Sequence, residues 1–76
     1  MPGRVPRVRA EEVLRALGRD GWVVSRHSGS HAILRHPTKS GRVVIPMHRA
    51  KTLKVGTMAS ILAQARLTPE EFEELL

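Results

Sequence analysis

Cysteine is absent from the 76-residue chain, which removes thiol nucleophiles, disulfide staples and Cys-based zinc sites together and leaves the redox compartment open. Aromatic residues are nearly absent as well. Trp22 and Phe72 are the only two, so Val, Leu, Ile and Ala must supply the core, and base stacking cannot dominate any nucleic-acid contact, since only Trp22 could lie on a base. No apolar run approaches the roughly 20 residues that span a bilayer, and Met1 to Arg7 lacks the apolar stretch of a signal peptide. The expectation is a soluble, cytoplasmic protein. A chain this short buries only about 60–65% of its unfolded surface, which fits one domain with a thin core and no deep cofactor cradle.

Acidic residues are scarce where basic ones are dense. All 13 Lys and Arg lie within residues 1–66, opposed only by Glu11, Glu12 and Asp20, a formal +10; residues 67–76 carry Glu70, Glu71, Glu73 and Glu74, a formal −4. Two readings fit this balance equally: a surface that meets a polyanion or an acidic partner, and a merely solubilising arginine-rich surface.

Residues 1–8 combine two prolines, a glycine and arginines without periodicity, the pattern of a flexible basic arm. Residues 9–76 then read as a single domain. Ala10, Val13, Leu14 and Leu17 fall at i, i+3, i+4 and i+7, predicting a helix over about 9–19 that stops at Gly18 or Gly21. Strand signals follow at Trp22 to Arg26, His31 to His36 and Arg42 to Ile45, separated by Ser28-Gly29-Ser30 and by Pro37 to Gly41. Pro46 closes the third strand. Ala32-Ile33-Leu34 and Val43-Val44-Ile45 do not alternate, so the covered face of this antiparallel meander is not legible. A basic connection from Met47 to Lys54 leads to a second helix from about Val55 or Gly56, capped by Gly56 or Thr57, with Met58, Ile61, Leu62 and Ala65 on one face. Thr68-Pro69-Glu70-Glu71 has the capping-box spacing of a short last helix, pinned by Phe72, Leu75 and Leu76.

With no cysteine, no paired carboxylates in the basic segment and no Gly-rich phosphate loop, the candidate chemical groups are His27, His31, His36 and His48. Imidazole exchanges protons near neutrality with little tuning. His31 follows Gly29 and Ser30 at a tight turn, where backbone N–H groups and the Ser30 hydroxyl can face an anion; Arg26 and Arg35 can hold neighbouring phosphates. The competing reading, favoured for an isolated histidine, is a solvent-facing strand start. His27 and His36 read as solvated strand ends. His48 either reaches across the sheet towards His31 or hydrogen-bonds the next connection. No spacing matches a metal-binding helix motif, so no metal and no small-molecule cofactor are expected.

Gly21-Trp22, Gly29-Ser30-His31, Pro46-Met47-His48, Leu53, Gly56-Thr57-Met58 and Ile61-Leu62, in this order over about residues 9–75, resemble the HicA (YcfA-like) mRNA interferase toxins. The resemblance implies an α+β, double-stranded-RNA-binding-domain-like α-β-β-β-α fold, with a three-stranded antiparallel sheet covered on one face by two helices, here extended by the short C-terminal helix. It implies an endoribonuclease acting on mRNA, a HicB-type antitoxin as partner, and His31 as the active-site histidine of the Gly-Ser-His motif. The arm at residues 1–8 and Met58, where leucine is common, depart from the family pattern without touching that motif.

RNA carries its own nucleophile in the 2′-OH, so cleavage needs a base, an acid and cations to hold the developing charge, and no metal. His31 can serve as base or acid; Arg26, Arg35, Lys39 or His48 can supply the charge or a second proton relay. Phosphate contacts are expected from Arg26, Gly29, Ser30, Arg35, Lys39, Arg42, His48, Arg49, Lys51 and Lys54. Two other functions use the same residues differently: a non-catalytic RNA-binding module of this fold, in which His31 only contacts phosphate or a 2′-OH, and an adaptor that docks an acidic protein through its basic face.

Overall fold

Helix α1 (Ala10–Arg19) buries Ala10, Val13, Ala16 and Leu17 on the predicted face. Its first turn is closed by the Glu12 carboxylate, which accepts from the Arg9 backbone N–H at 2.9 Å; this bond, reinforced by the Arg9 charge, holds the carboxyl below its ordinary range. The computed structural model describes residues 5–48 and 51–76. Strands β1 (Val23–Ser28), β2 (His31–Arg35) and β3 (Val43–Pro46) form an antiparallel sheet in the order β1-β2-β3. Helices α2 (Val55–Ala65) and α3 (Pro69–Leu75) complete the chain. This is the α+β, double-stranded-RNA-binding-domain-like arrangement expected from the sequence, with two helices on one side of the sheet and a short third.

Register settles which face is covered. Ala32 pairs with Ile45 and Leu34 with Val43, and all four are fully buried against Val13, Leu17, Met58, Ile61 and Leu62. Side chains directly opposite in an antiparallel pair share a face, and alternate residues switch faces. His31, Ile33 and Arg35 therefore project from the other, outer face with their partners Ser28, Arg26, Val23, Pro46 and Val44. Ile33 is nevertheless nearly buried between its neighbours Arg26 and Val44, which is why the three-residue apolar run does not alternate in the sequence.

Strand β1 runs two residues past Arg26 to Ser28 and contains a register shift between Val24 and Arg26. Ser28 and His31 then flank a two-residue hairpin. Gly29 has φ +59° and Ser30 does not share a positive φ, the pattern of a type II′ turn, which matches strand twist and favours glycine at its first central position. Pro46 sits inside β3 rather than after it. The Met47 N–H donates to Ser30 O at 2.7 Å, so Ser30 and Met47 are a hydrogen-bonded pair and Pro46 opposite His31 is not. Its nitrogen points to the free edge, where a missing N–H removes no ladder bond. Two residues earlier the edge N–H of Val44 donates to Gln64 of α2 at 2.9 Å, so β3 offers little to a foreign strand.

The connection from β3 to α2 is braced by the N-terminal segment. Leu53 N–H donates to Val8 O at 3.0 Å, Arg9 bridges Thr52, and Val5 and Val8 pack against the core. Residues 5–8 of the expected basic arm are thus docked on the domain; residues 1–4 lie outside the described residues. Helix α2 begins one residue before its expected caps. Lys54 is the N-cap, its carbonyl accepts from Met58 N–H at 2.9 Å, and Gly56 and Thr57 lie within the first turn. Arg66 ends it in a left-handed conformation, φ 59°. The predicted capping box of α3 is formed: Thr68 Oγ1 accepts from Glu71 N–H at 3.1 Å and Glu71 Oε1 accepts from Thr68 N–H at 2.8 Å. A seven-residue helix is not stable alone, and fully buried Phe72 anchors it by about 1.5–3 kcal/mol. Leu76, expected to help, is instead half exposed.

Candidate functional site

The hairpin tip, the end of β3 and the start of α2 meet at one corner of the outer face. His31 opens β2 and is exposed, beside Ser28 on one side and Pro46 on the other. Pro46 in turn forms the wall of an open pocket of about 380 Å³, completed by His48, Lys51, Thr52, Leu53, Lys54 and Thr57. His31 does not line this pocket; it borders it across Pro46. Two lysines, an imidazole and the uncapped first turn of α2 therefore share a concavity whose rim carries His31. The first N–H groups of a helix lack intrahelical acceptors and carry partial positive charge, and no side chain caps those of α2. Every charged side chain of the pocket is basic, so the corner suits an anion.

The remaining candidates divide. Arg26 is exposed on the outer face opposite Ile33, within two residues of the hairpin. Arg35 shares that face at the far end of β2, four residues and so about 13 Å from His31, and its guanidinium donates to Gly41 O at 3.1 Å. Arg42 is exposed just before β3. Gly29 and Ser30 form the exposed turn itself. Arg49 lies outside the described residues.

Lys39 is elsewhere. Its ammonium donates to Asp20 Oδ2 at 2.8 Å and to Ala65 O at 3.0 Å, tying the β2–β3 loop to the ends of α1 and α2. His36 belongs to the same assembly and is not a solvated strand end. Backbone N–H groups of Thr38 and Lys39 both reach its Nδ1 at 3.1 Å, which fixes Nδ1 as an acceptor and places the proton on Nε2, donated to Asp20 O at 2.7 Å. Trp22 packs edge-on against this ring, centroids 5.1 Å apart. At 2% exposure Trp22 cannot stack on a base, contrary to the expectation from composition; its indole N–H is buried without a hydrogen-bond partner among the described residues. The Gly21-Trp22 pair explains itself here: Gly21 has φ +109°, and a Cβ on it would stand 2.7 Å from His36 Nε2.

Neither the His31 nor the His48 imidazole has a hydrogen bond or ion pair among the described residues. The family described as "HicA toxin of bacterial toxin-antitoxin" matches residues 10–67. The chain belongs to the HicA toxin family. A search of curated proteins finds no match. The matched span runs from the first residue of α1 to just past α2, so the HicA assignment covers the sheet, the hairpin with His31 and the basic pocket, while α3 lies outside it. Membership of a toxin-antitoxin family implies an antitoxin partner for this HicA chain, and no helix among the described residues is long and apolar enough to cross a membrane.

Proposed function

We propose that this HicA-family toxin is an endoribonuclease that cleaves mRNA by proton transfer through His31, and that a HicB-type acidic antitoxin silences it by covering the same corner. The observation that carries the reading is the unencumbered His31 imidazole on an open sheet face, bordering a pocket whose charged side chains are all basic. Lys51, Lys54 and Arg26 take the phosphates flanking the scissile bond, and the free N–H groups of α2 add to their field. His31 reaches the reacting phosphodiester from the rim. The 2′-OH attacks phosphorus, the 5′-oxygen leaves, and the products are a 2′,3′-cyclic phosphate and a 5′-OH. RNA supplies the nucleophile in its own 2′-OH, so the reaction asks of the protein only groups that move protons and hold charge.

The antitoxin reading rests on charge and on place. A basic face attracts and orients an acidic protein, and anything seated over His31 and Lys54 also blocks RNA. The direct test incubates purified protein with RNA in excess EDTA. Wild type should cleave, while His31→Ala should lose about 10²–10⁴-fold in rate with an unchanged unfolding midpoint, since the His31 side chain makes no bond that the fold needs. A His31→Ala protein that cleaves at the wild-type rate, or a wild type that needs a divalent ion, contradicts the proposal.

A further inference from the structure

Transesterification of RNA needs two proton transfers at opposite sides of phosphorus, one from the 2′-oxygen and one to the 5′-oxygen. Of the groups that sequence alone offered for the second, three drop out, two by their chemistry and one by its place in the structure. Arg26 and Arg35 are guanidinium groups, which hold their protons in any protein environment, and Lys39 is committed to Asp20 and Ala65 O. His48 remains. Met47 turns inward and packs against the core, so the residues on either side of it face the other way: Pro46 and His48 both line the basic pocket, and His48 is exposed. The ladder bond from Met47 N–H to Ser30 O carries the β2–β3 register one step beyond Pro46. His48 is thereby the diagonal neighbour of His31, two residues past its direct partner. Diagonal neighbours across an antiparallel pair stand roughly 7–8 Å apart. The His31–Pro46 pair is of the close, non-hydrogen-bonded kind, which keeps His31 beside the Pro46 wall of the pocket that His48 also lines.

We propose that His48 is the second proton-transfer group of this site, working with His31 on opposite sides of one phosphodiester seated over Pro46. The inference rests on the nuclease reading above and deepens it. One imidazole takes the 2′-OH proton as the P–O2′ bond forms; the other gives its proton to the 5′-oxygen as the P–O5′ bond breaks. The pair ends each turnover with its proton exchanged from one ring to the other, and solvent resets it. Lys51 and Lys54, in the same pocket, hold the charge on the non-bridging oxygens.

The experiment compares His31→Ala and His48→Ala, with His48→Gln as a gentler second variant, on two RNA substrates. One has an ordinary linkage; in the other the bridging 5′-oxygen at the cleavage site is replaced by sulfur, a leaving group that needs no proton. On ordinary RNA both alanine variants should lose about 10²-fold or more, and each should lose one limb of the bell-shaped pH–rate profile. On the thio-linked RNA one of the two variants should return to within about tenfold of wild type while the other stays slow, which also identifies the acid. A folded His48→Ala or His48→Gln that cleaves ordinary RNA at the wild-type rate overturns the assignment. So does a loss at His48 that is equal on the two substrates with both pH limbs kept, because that is the behaviour of a residue that only binds. Wild-type protein inert on both substrates refutes the nuclease reading itself, and this inference with it.

Discussion

Strand β2 separates two histidines that look alike in the sequence and behave oppositely in the fold. His31 opens the strand, stands exposed and has no hydrogen-bond partner for its ring among the described residues; His36, just past its end, accepts two backbone N–H groups, donates to Asp20 O and packs against Trp22. One end of the sheet spends its polar groups on itself, the other leaves them to solvent. The lysines divide in the same way, Lys39 being bonded to Asp20 and Ala65 O while Lys51 and Lys54 line an open pocket. A titratable group whose bonding capacity is filled by backbone has been used by the fold. One left unfilled on a basic face is available for chemistry.

The strongest way to break this comparison is at the filled end. Gly21→Ala forces a left-handed alanine and a Cβ 2.7 Å from His36 Nε2, and His36→Ala removes the ring that accepts from two backbone N–H groups, donates to Asp20 O and packs on Trp22; each should lower stability by about 2–3 kcal/mol. In a domain of this size that lowers the unfolding midpoint by at least 8 °C. Because the two residues touch, the double variant should lose less than the sum of the singles, as read by urea denaturation. Additive losses would show that Gly21 is required for its backbone angle alone.

A smaller effect sharpens the same division. Lys39→Ala removes a half-buried pair and should lower stability by about 1–2 kcal/mol, leaving the salt dependence of RNA affinity unchanged. Lys54→Ala should do the reverse: stability within about 0.5 kcal/mol of wild type, and a slope of log affinity against log salt reduced by about 0.7, one phosphate contact on single-stranded RNA. If the lysines exchange these behaviours, the basic corner is misplaced.

Much of this is legible in the sequence. The i, i+3, i+4, i+7 spacings located α1 and α2, and the Thr-Pro-Glu-Glu signal marked α3 to the residue, because a capping box is local chemistry. The Gly-Ser-His turn was recognisable because a two-residue hairpin leaves few choices of residue. What the sequence withheld depends on long-range register. Ile33 and Val44 are apolar on the face that also bears His31, so the strands show no period of two, and only pairing reveals which residues face the core. His36 and Lys39 read as surface residues because their partners, Asp20 and Ala65 O, lie 16 to 26 residues away. The tight Gly21-Trp22 pair was the one local signal of that latch, and its meaning appears only when the ring that needs the missing Cβ is in place. The seating of His48 was likewise hidden, since it follows from the inward turn of Met47 and not from spacing.

The most direct test of the contrast between the two ends is an NMR titration of the wild-type protein with 2′-O-methyl RNA, which binds but has no free 2′-OH to attack. The account predicts that backbone amides of Ser28 to His31, Met47, His48 and Lys51 to Thr57 shift with saturation, together with the His31 and His48 ring signals, while Asp20, Gly21 and His36 to Gly41 stay unmoved. Shifts confined to the His36 end, with His31 and His48 silent, would contradict it.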